Sequence, residues 1–140
     1  MSTTTLLASD SYQLTVSEAE TERMKRVLEY VLKQFRSEIR IEQIASVAGM
    51  APAAFCRYFR KRTGKSFVEY LNELRISHAR KLLTEADLSV SQVGFACGFN
   101  NISHFHRQFK QQIGTTPMRY QANYRNRQSP LLPGGAATGA

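Results

Sequence analysis

The chain has 140 residues, 42% of them hydrophobic and 21% charged, enough apolar material for one compact domain with tails and too much for wholesale disorder. Lys plus Arg number 19 against 11 Asp plus Glu, and the resulting formal charge of +8 points to a polyanionic partner, either nucleic acid or an anionic membrane surface. No apolar run approaches the ~18 residues that span a bilayer. The start, MSTTTLLASDSYQ, has neither a basic segment nor a long apolar one, and two cysteines, Cys56 and Cys97, are too few for a disulfide scaffold. A cytosolic protein is expected.

Helix signals dominate from the N-terminus onward. Residues 1–16 read as a flexible tail or linker. Ser17-x-x-Glu20 has the form of a capping box, and Met24, Val27, Leu28, Val31, Leu32 and Phe35 follow at helical spacing, so a first helix is expected over about 18–36. Ile41, Ile44, Ala45 and Ala48 predict a short second helix that stops at Gly49. Pro52 suits the first position of a third, which runs through Phe55 and Phe59 to Gly64. Ser66-x-x-Glu69 opens a fourth, ending near Glu85. Ser89-x-x-Gln92 opens a fifth, which stops at Gly98. Asn100 or Asn101 caps a sixth that ends at Gly114, and Thr116-Pro117 starts a seventh near Met118–Tyr124. The Pro- and Gly-rich stretch 128–140 reads as a second tail. The fold class expected is all-α.

The charge is not spread evenly. Over residues 1–36, Arg23, Lys25, Arg26, Lys33 and Arg36 balance Asp10, Glu18, Glu20, Glu22 and Glu29, so the excess lies entirely beyond them. No acidic residue stands between Glu42 and Glu69, where Arg57, Arg60, Lys61, Arg62 and Lys65 cluster. None follows Asp87, whereas Arg107, Lys110, Arg119, Arg125 and Arg127 do.

The two basic segments are copies of one pattern. Ile41 to Met50 lies over Val90 to Phe99 at an offset of 49. With one more turn residue the offset becomes 50, and Phe55, Arg57, Phe59, Arg60 and Gly64 lie over Phe105, Arg107, Phe109, Lys110 and Gly114. Ser66 and Tyr70 likewise fall on Thr116 and Tyr120. Each copy is a short helix, a glycine turn and a basic helix, the order of a helix-turn-helix. A small residue on the first helix, Ala45 or Gly94, lets the second cross closely. If Phe55 and Phe59 face inward, Ala53, Cys56, Arg57 and Arg60 face out at i, i+3, i+4 and i+7. In the second copy Ser103, His106, Arg107 and Lys110 take those places. Arg suits bidentate contact with guanine, Ser and His suit base edges or phosphate, and Lys suits phosphate.

These residues resemble the DNA-binding domain of the AraC/XylS family of bacterial transcription regulators. The match runs over about 18–125. It rests on Arg80-Lys-Leu-Leu83, Val90-Ser-Gln-Val-Gly-Phe-Ala-Cys-Gly98-Phe99, Ser103-His-Phe-His-Arg107-Gln-Phe109-Lys110 and Gly114-Thr-Thr-Pro117 with Tyr120, together with Ala45, Gly49-Met50, Arg57, Phe59 and Gly64 in the first copy. The resemblance implies a domain over 17–127 with about seven helices. Within it, helix-turn-helix subdomains at about 41–64 and 89–114 are joined by a long linker helix at about 66–85. It implies a sequence-specific regulator reading two adjacent major-groove segments of double-stranded operator or promoter DNA. The reading helices would be those at about 52–63 and 101–113. A nucleoid location in a bacterial cytoplasm, a monomeric isolated domain and RNA polymerase as a second partner belong to the same expectation. The candidate DNA-binding set is Ala53, Cys56, Arg57, Arg60 and Lys61 in the first copy, and Ile102, Ser103, His104, His106, Arg107 and Lys110 in the second. Ala51 stands where the family commonly has Ser, so the third helix lacks a side-chain cap, a loss of about 1 kcal/mol.

Other readings of the same residues are weaker. The Phe, Ile and Leu stripes are core and call for no cofactor. His104 and His106 point apart on a helix, which disfavours a metal site with Cys97. Cys97 reads as a small buried hydrophobe, and nothing beside Cys56 resolves a redox role. No nucleophile, metal or phosphate-loop motif supports an enzyme, so no catalytic residue and no cofactor is expected. A module that binds any anionic surface through its basic faces remains the alternative, and sequence preference among duplexes would separate the two. Regulators of this kind that sense small molecules usually carry an effector domain, so the chain is expected to be either a small stand-alone regulator or a domain of a longer one.

Overall fold

A computed structural model describes residues 2–128, with side chains over 18–127. The described residues form α-helices and no strands: α1 (Ser2–Gln34), α2 (Ile41–Ala48), α3 (Pro52–Thr63), α4 (Phe67–Glu85), α5 (Val90–Ala96), α6 (Ile102–Ile113) and α7 (Pro117–Gln128). The chain divides into two compact units. The first holds α1, α2 and α3; the second holds α4 to α7 together with residues 35–38.

In the first unit α2 packs on α1 and α3 on α2. Val27 and Val31 of α1, Ile44, Ala45 and Ala48 of α2, and Phe55 and Phe59 of α3 are buried. Each fully buried phenylalanine contributes roughly 1.5–3 kcal/mol of transfer free energy. Gln43 closes the start of α2, its Oε1 accepting from the backbone N–H of Arg40 at 2.7 Å. Gly49 ends it at φ +72, with the Gly49 and Met50 N–H groups donating to the Ser46 and Ala45 carbonyls. Those two bonds make a Schellman turn.

The second unit is built around Ile76, Ala79 and Leu83 of α4, Val90 and Val93 of α5, and Phe105 and Phe109 of α6, with Cys97 and Phe99 from the intervening turn. Ser89 and Gln92 form the expected capping box, their backbone N–H groups donating to each other's side chains, Ser89 N–H to Gln92 Oε1 at 2.8 Å and Gln92 N–H to Ser89 Oγ at 3.2 Å. Gly98, at φ +102, repeats the turn of the first unit: its N–H donates to Phe95 and that of Phe99 to Gly94. Asn101, of the two asparagines considered, caps α6 by accepting from the His104 N–H at 2.9 Å. Thr116 does the same for α7 through the Arg119 N–H at 3.2 Å. The buried Gln121 amide of α7 donates to the Leu83 and Leu88 carbonyls at 3.2 and 3.1 Å, tying α7 to the end of α4.

The N-terminus departs from expectation. α1 begins at Ser2, so the backbone of residues 2–16, read as a tail, is helical, and Ser17 lies inside a helix rather than capping one. Neither Gly nor Pro precedes Gly49, so the sequence holds no strong stop signal that would break the helix before Ser17. The other tail expected at 128–140 falls, beyond Gln128, outside the described residues. α4 has its expected bounds, and it packs against α5, α6 and α7.

Candidate nucleic-acid interface

Both basic helices are built on one plan. In α3, Phe55 and Phe59 are 0% exposed, and in α6 Phe105 and Phe109 are too. With that face committed to the core, the 3.6-residue period turns the opposite face outward. On α3 this exposes Ala53, Cys56, Arg57, Arg60 and Lys61; on α6 it exposes Ser103, His106, Arg107 and Lys110. Neither helix carries an acidic side chain, so nothing on either one offsets its basic residues. Both end on a left-handed glycine whose N–H donates to the carbonyl four residues back, Gly64 to Arg60 and Gly114 to Lys110, each at 2.8 Å.

The close crossing expected at the small residue is visible in the second unit. A methyl group placed on Gly94 would lie 2.7 Å from Cδ2 of Phe105 and 2.9 Å from Cδ1 of Ile102, so any larger residue would push α6 off α5. That contact sets how far the outer face of α6 stands from its core.

Ile102 and His104 sit apart from the exposed stripe. Ile102 is half-buried and packs on the second unit's core. His104 is half-buried too, its ring meeting Phe99 edge-on at 5.5 Å. Burial pushes its pKa down, and the positive charges of Arg107 and Arg75 act in the same direction, so it stands neutral at pH 7. His106 is exposed, with its ring 5.9 Å from that of Phe105.

Two further residues bear on the site. Arg62, part of the basic cluster, turns away from the stripe to pair with Glu20 at 3.4 Å and to lie over the Tyr58 ring at 5.8 Å. Gln111 is exposed one position past Lys110, as Lys61 is one past Arg60. The offset of 50 between the copies puts Gln111 in the place of Lys61, a signal present in the sequence itself.

Among the described residues no group of three or more His, Cys, Asp or Glu side chains could hold a metal ion. No described helix is long and apolar enough to cross a membrane.

A helix-turn-helix domain family matches residues 44–123 of the chain, from α2 into α7. The chain belongs to the AraC/XylS-type helix-turn-helix family. It is 30% identical over 108 residues to the regulatory protein PocR of Salmonella typhimurium, covering 77% of this chain and 36% of that protein. It is 29% identical over 118 residues to the uncharacterized HTH-type transcriptional regulator YdeC of Bacillus subtilis, covering 82% of this chain and 40% of the relative. The chain thus spans about two fifths of the length of the curated relatives it matches. Among solved structures, the DNA-binding domain of AdpA, a global transcriptional factor in complex with a target DNA, superimposes with a TM-score of 0.69 at 32% identity. That likeness covers 73% of this chain and 92% of the AdpA domain.

Proposed function

We propose that this AraC/XylS-type chain is a sequence-specific double-stranded DNA-binding transcription regulator that reads two major-groove segments, one with α3 and one with α6. The observation that carries the reading is the duplicated outer stripe. Twice, a helix held by two buried phenylalanines behind a Schellman glycine turn offers basic side chains on its free face. Arg57 and Arg107 are the candidates for bidentate contact with guanine O6 and N7. Arg60, Lys61 and Lys110 serve phosphates, and Ser103 and His106 reach base edges or phosphate. Ala53 and Cys56 suit apolar contact with thymine methyls. Ile102 and His104 are assigned to seating the first turn of α6. AdpA, whose DNA-binding domain is similar in fold and in sequence, is described as bound to a target DNA.

The reading extends to one chain engaging both segments, in a bacterial cytoplasm, with an action on transcription that runs through RNA polymerase or its access to a promoter. It gives the chain no catalytic step. Selection from random duplexes tests it. One enriched sequence with two separated conserved blocks is expected. A 5 bp insertion between the blocks, which turns one groove to the opposite side of the helix, is expected to abolish two-part binding. Equal binding to every duplex and to anionic phosphatidylglycerol vesicles would instead favour a general anionic-surface module.

A further inference from the structure

Residues 35–38 connect α1 to α2, two helices of the first unit, yet they pack as part of the second. Arg75 of α4 holds them there. Its Nε donates to the Phe35 carbonyl at 2.8 Å and its Nη2 to the Ser37 carbonyl at 2.9 Å. Its guanidinium lies over the Phe99 ring, 5.8 Å from the centroid. The Phe35 ring is buried and meets His78 of α4 edge-on at 5.2 Å. Gly98 completes the seat. A methyl group there would lie 2.6 Å from the Phe35 carbonyl oxygen and 2.9 Å from Arg75 Nε. The two carbonyls follow the end of α1, where backbone acceptors lack helical partners, and one planar, five-donor side chain satisfies both.

The consequence lies in chain connectivity. The chain passes from one unit to the other after Gln34, after Glu38 and after Ser66. Only Ile39 and Arg40 separate the gripped segment from α2, which leads through a short turn to α3. Released from Arg75, the connection keeps the buried Phe35 ring as its anchor, and the five residues from Arg36 to Arg40 are left free to reach about 17 Å.

We propose that Arg75 is a positioning residue for two-part DNA recognition: by gripping the α1–α2 connection on the turn of the second helix-turn-helix, it restricts the spacing at which α3 and α6 engage DNA together. The proposal rests on the two-groove reading above. Arg75 itself lies outside both exposed stripes and acts through the connection. Its contribution is to effective concentration: a restrained second reader gains from the first only at the matching separation, and a loose one gains less over a wider range.

The experiment uses the selected full site, each half-site alone, and full sites lengthened by one to five base pairs. The full chain is compared with Arg75→Met, which keeps the length and loses the donors, and with Arg75→Lys, whose single ammonium replaces the fork. Arg75→Met is expected to keep half-site affinities within about twofold, lose roughly tenfold on the native spacing, and respond more weakly to insertion than the full chain. Arg75→Lys is expected to fall between the two. A spacing profile identical to that of the unaltered chain overturns the proposal, as does a parallel loss on half-sites and full sites. A DNA-free measurement judges the grip separately should the unaltered chain show no spacing preference and the two-groove reading fail. Trypsin cleavage after Arg36 and Arg40 is expected to be about tenfold faster in Arg75→Met, because the segment opens without global unfolding. Equal cleavage rates overturn the grip.

Discussion

Gly94 on α5 and Phe105 on α6 meet so closely that a methyl group on the glycine would stand 2.7 Å from Cδ2 of the phenylalanine. The phenylalanine is wholly buried, so it moves only with its neighbours in the core. Gly94→Ala therefore forces α6 to shift, although alanine is the better helix former by about 1 kcal/mol. Overpacking of this kind costs typically 1–3 kcal/mol, and the cost outweighs the gain in helix propensity. Urea unfolding is expected to show a net loss of up to about 2 kcal/mol. Unchanged or increased stability would mean that the two helices adjust freely.

The two cysteines are expected to react oppositely. Cys97 is buried in the second unit's core, and burial pushes its thiol up to about 12, so it stays protonated and shielded. Cys56 is exposed on the outer stripe of α3. A thiol reagent applied to the native chain at pH 8 is expected to label Cys56 alone, and bound operator is expected to slow that labelling. Equal labelling with and without DNA would remove Cys56 from the interface.

Lys110 is expected to act on phosphate. Each Lys or Arg contact on B-DNA contributes about −0.9 to the slope of log K against log[salt]. Lys110→Ala is expected to weaken all sequences alike and to flatten that slope by about one unit. A loss confined to one operator would show that Lys110 reads bases.

Specificity is expected to be lopsided, with α6 the more stringent reader. Its stripe carries Ser103, His106 and Arg107, three side chains able to bond base edges, whereas α3 sets Arg57 and Arg60 beside the small Ala53 and Cys56. Loss of a bidentate arginine contact costs about 1–3 kcal/mol and relaxes the choice at its base pair. Arg107→Ala and Arg57→Ala are expected to broaden preference in different half-sites, read by a base-by-base substitution scan. The asymmetry is wrong if the half-site tied to Arg57 tolerates fewer substitutions than the other.

The second unit is expected to lose stability below neutral pH. Burial lowers the pKa of His104, and burial lowers that of His78, where Arg36 and Lys81 act in the same direction. A histidine whose folded pKa lies below its unfolded value binds more protons when unfolded. Its contribution is therefore complete above the ordinary histidine pKa near 6.5 and is lost as pH falls from there towards the folded value. Urea midpoints measured from pH 7.5 down to 5.5 are expected to fall, and less so in a His104→Gln, His78→Gln double variant. An identical fall in that variant would assign the effect to other groups.

Much of this protein was legible from local chemistry. Apolar residues at helical spacing, the Ser89 and Gln92 capping pair and the two glycine turns mark six of the seven helices among the described residues to within a few positions, because capping and burial patterns act over four or five positions. The offset between the copies places Phe55 with Phe59 and Phe105 with Phe109 inward, so it also places both basic stripes outward. The family resemblance rests on those same positions.

Tertiary structure decided the rest. Arg62 was one cation in a run until its pairing with Glu20 turned it off the stripe, and the two stand more than forty residues apart. Ile102 and His104 belong to a basic reading helix by sequence, yet the core and Phe99 take up part of each, a competition that helix period alone does not rank. The start of α1 at Ser2 escaped the reading because a polar helix without a strong stop or a complete apolar stripe carries no local mark of where it begins. The grip of Arg75 on Phe35 and Ser37 joins groups 40 and 38 positions apart through backbone carbonyls. Every residue has such a carbonyl, so its identity in the sequence says nothing of the bond, and only the folded chain brings this donor to these acceptors.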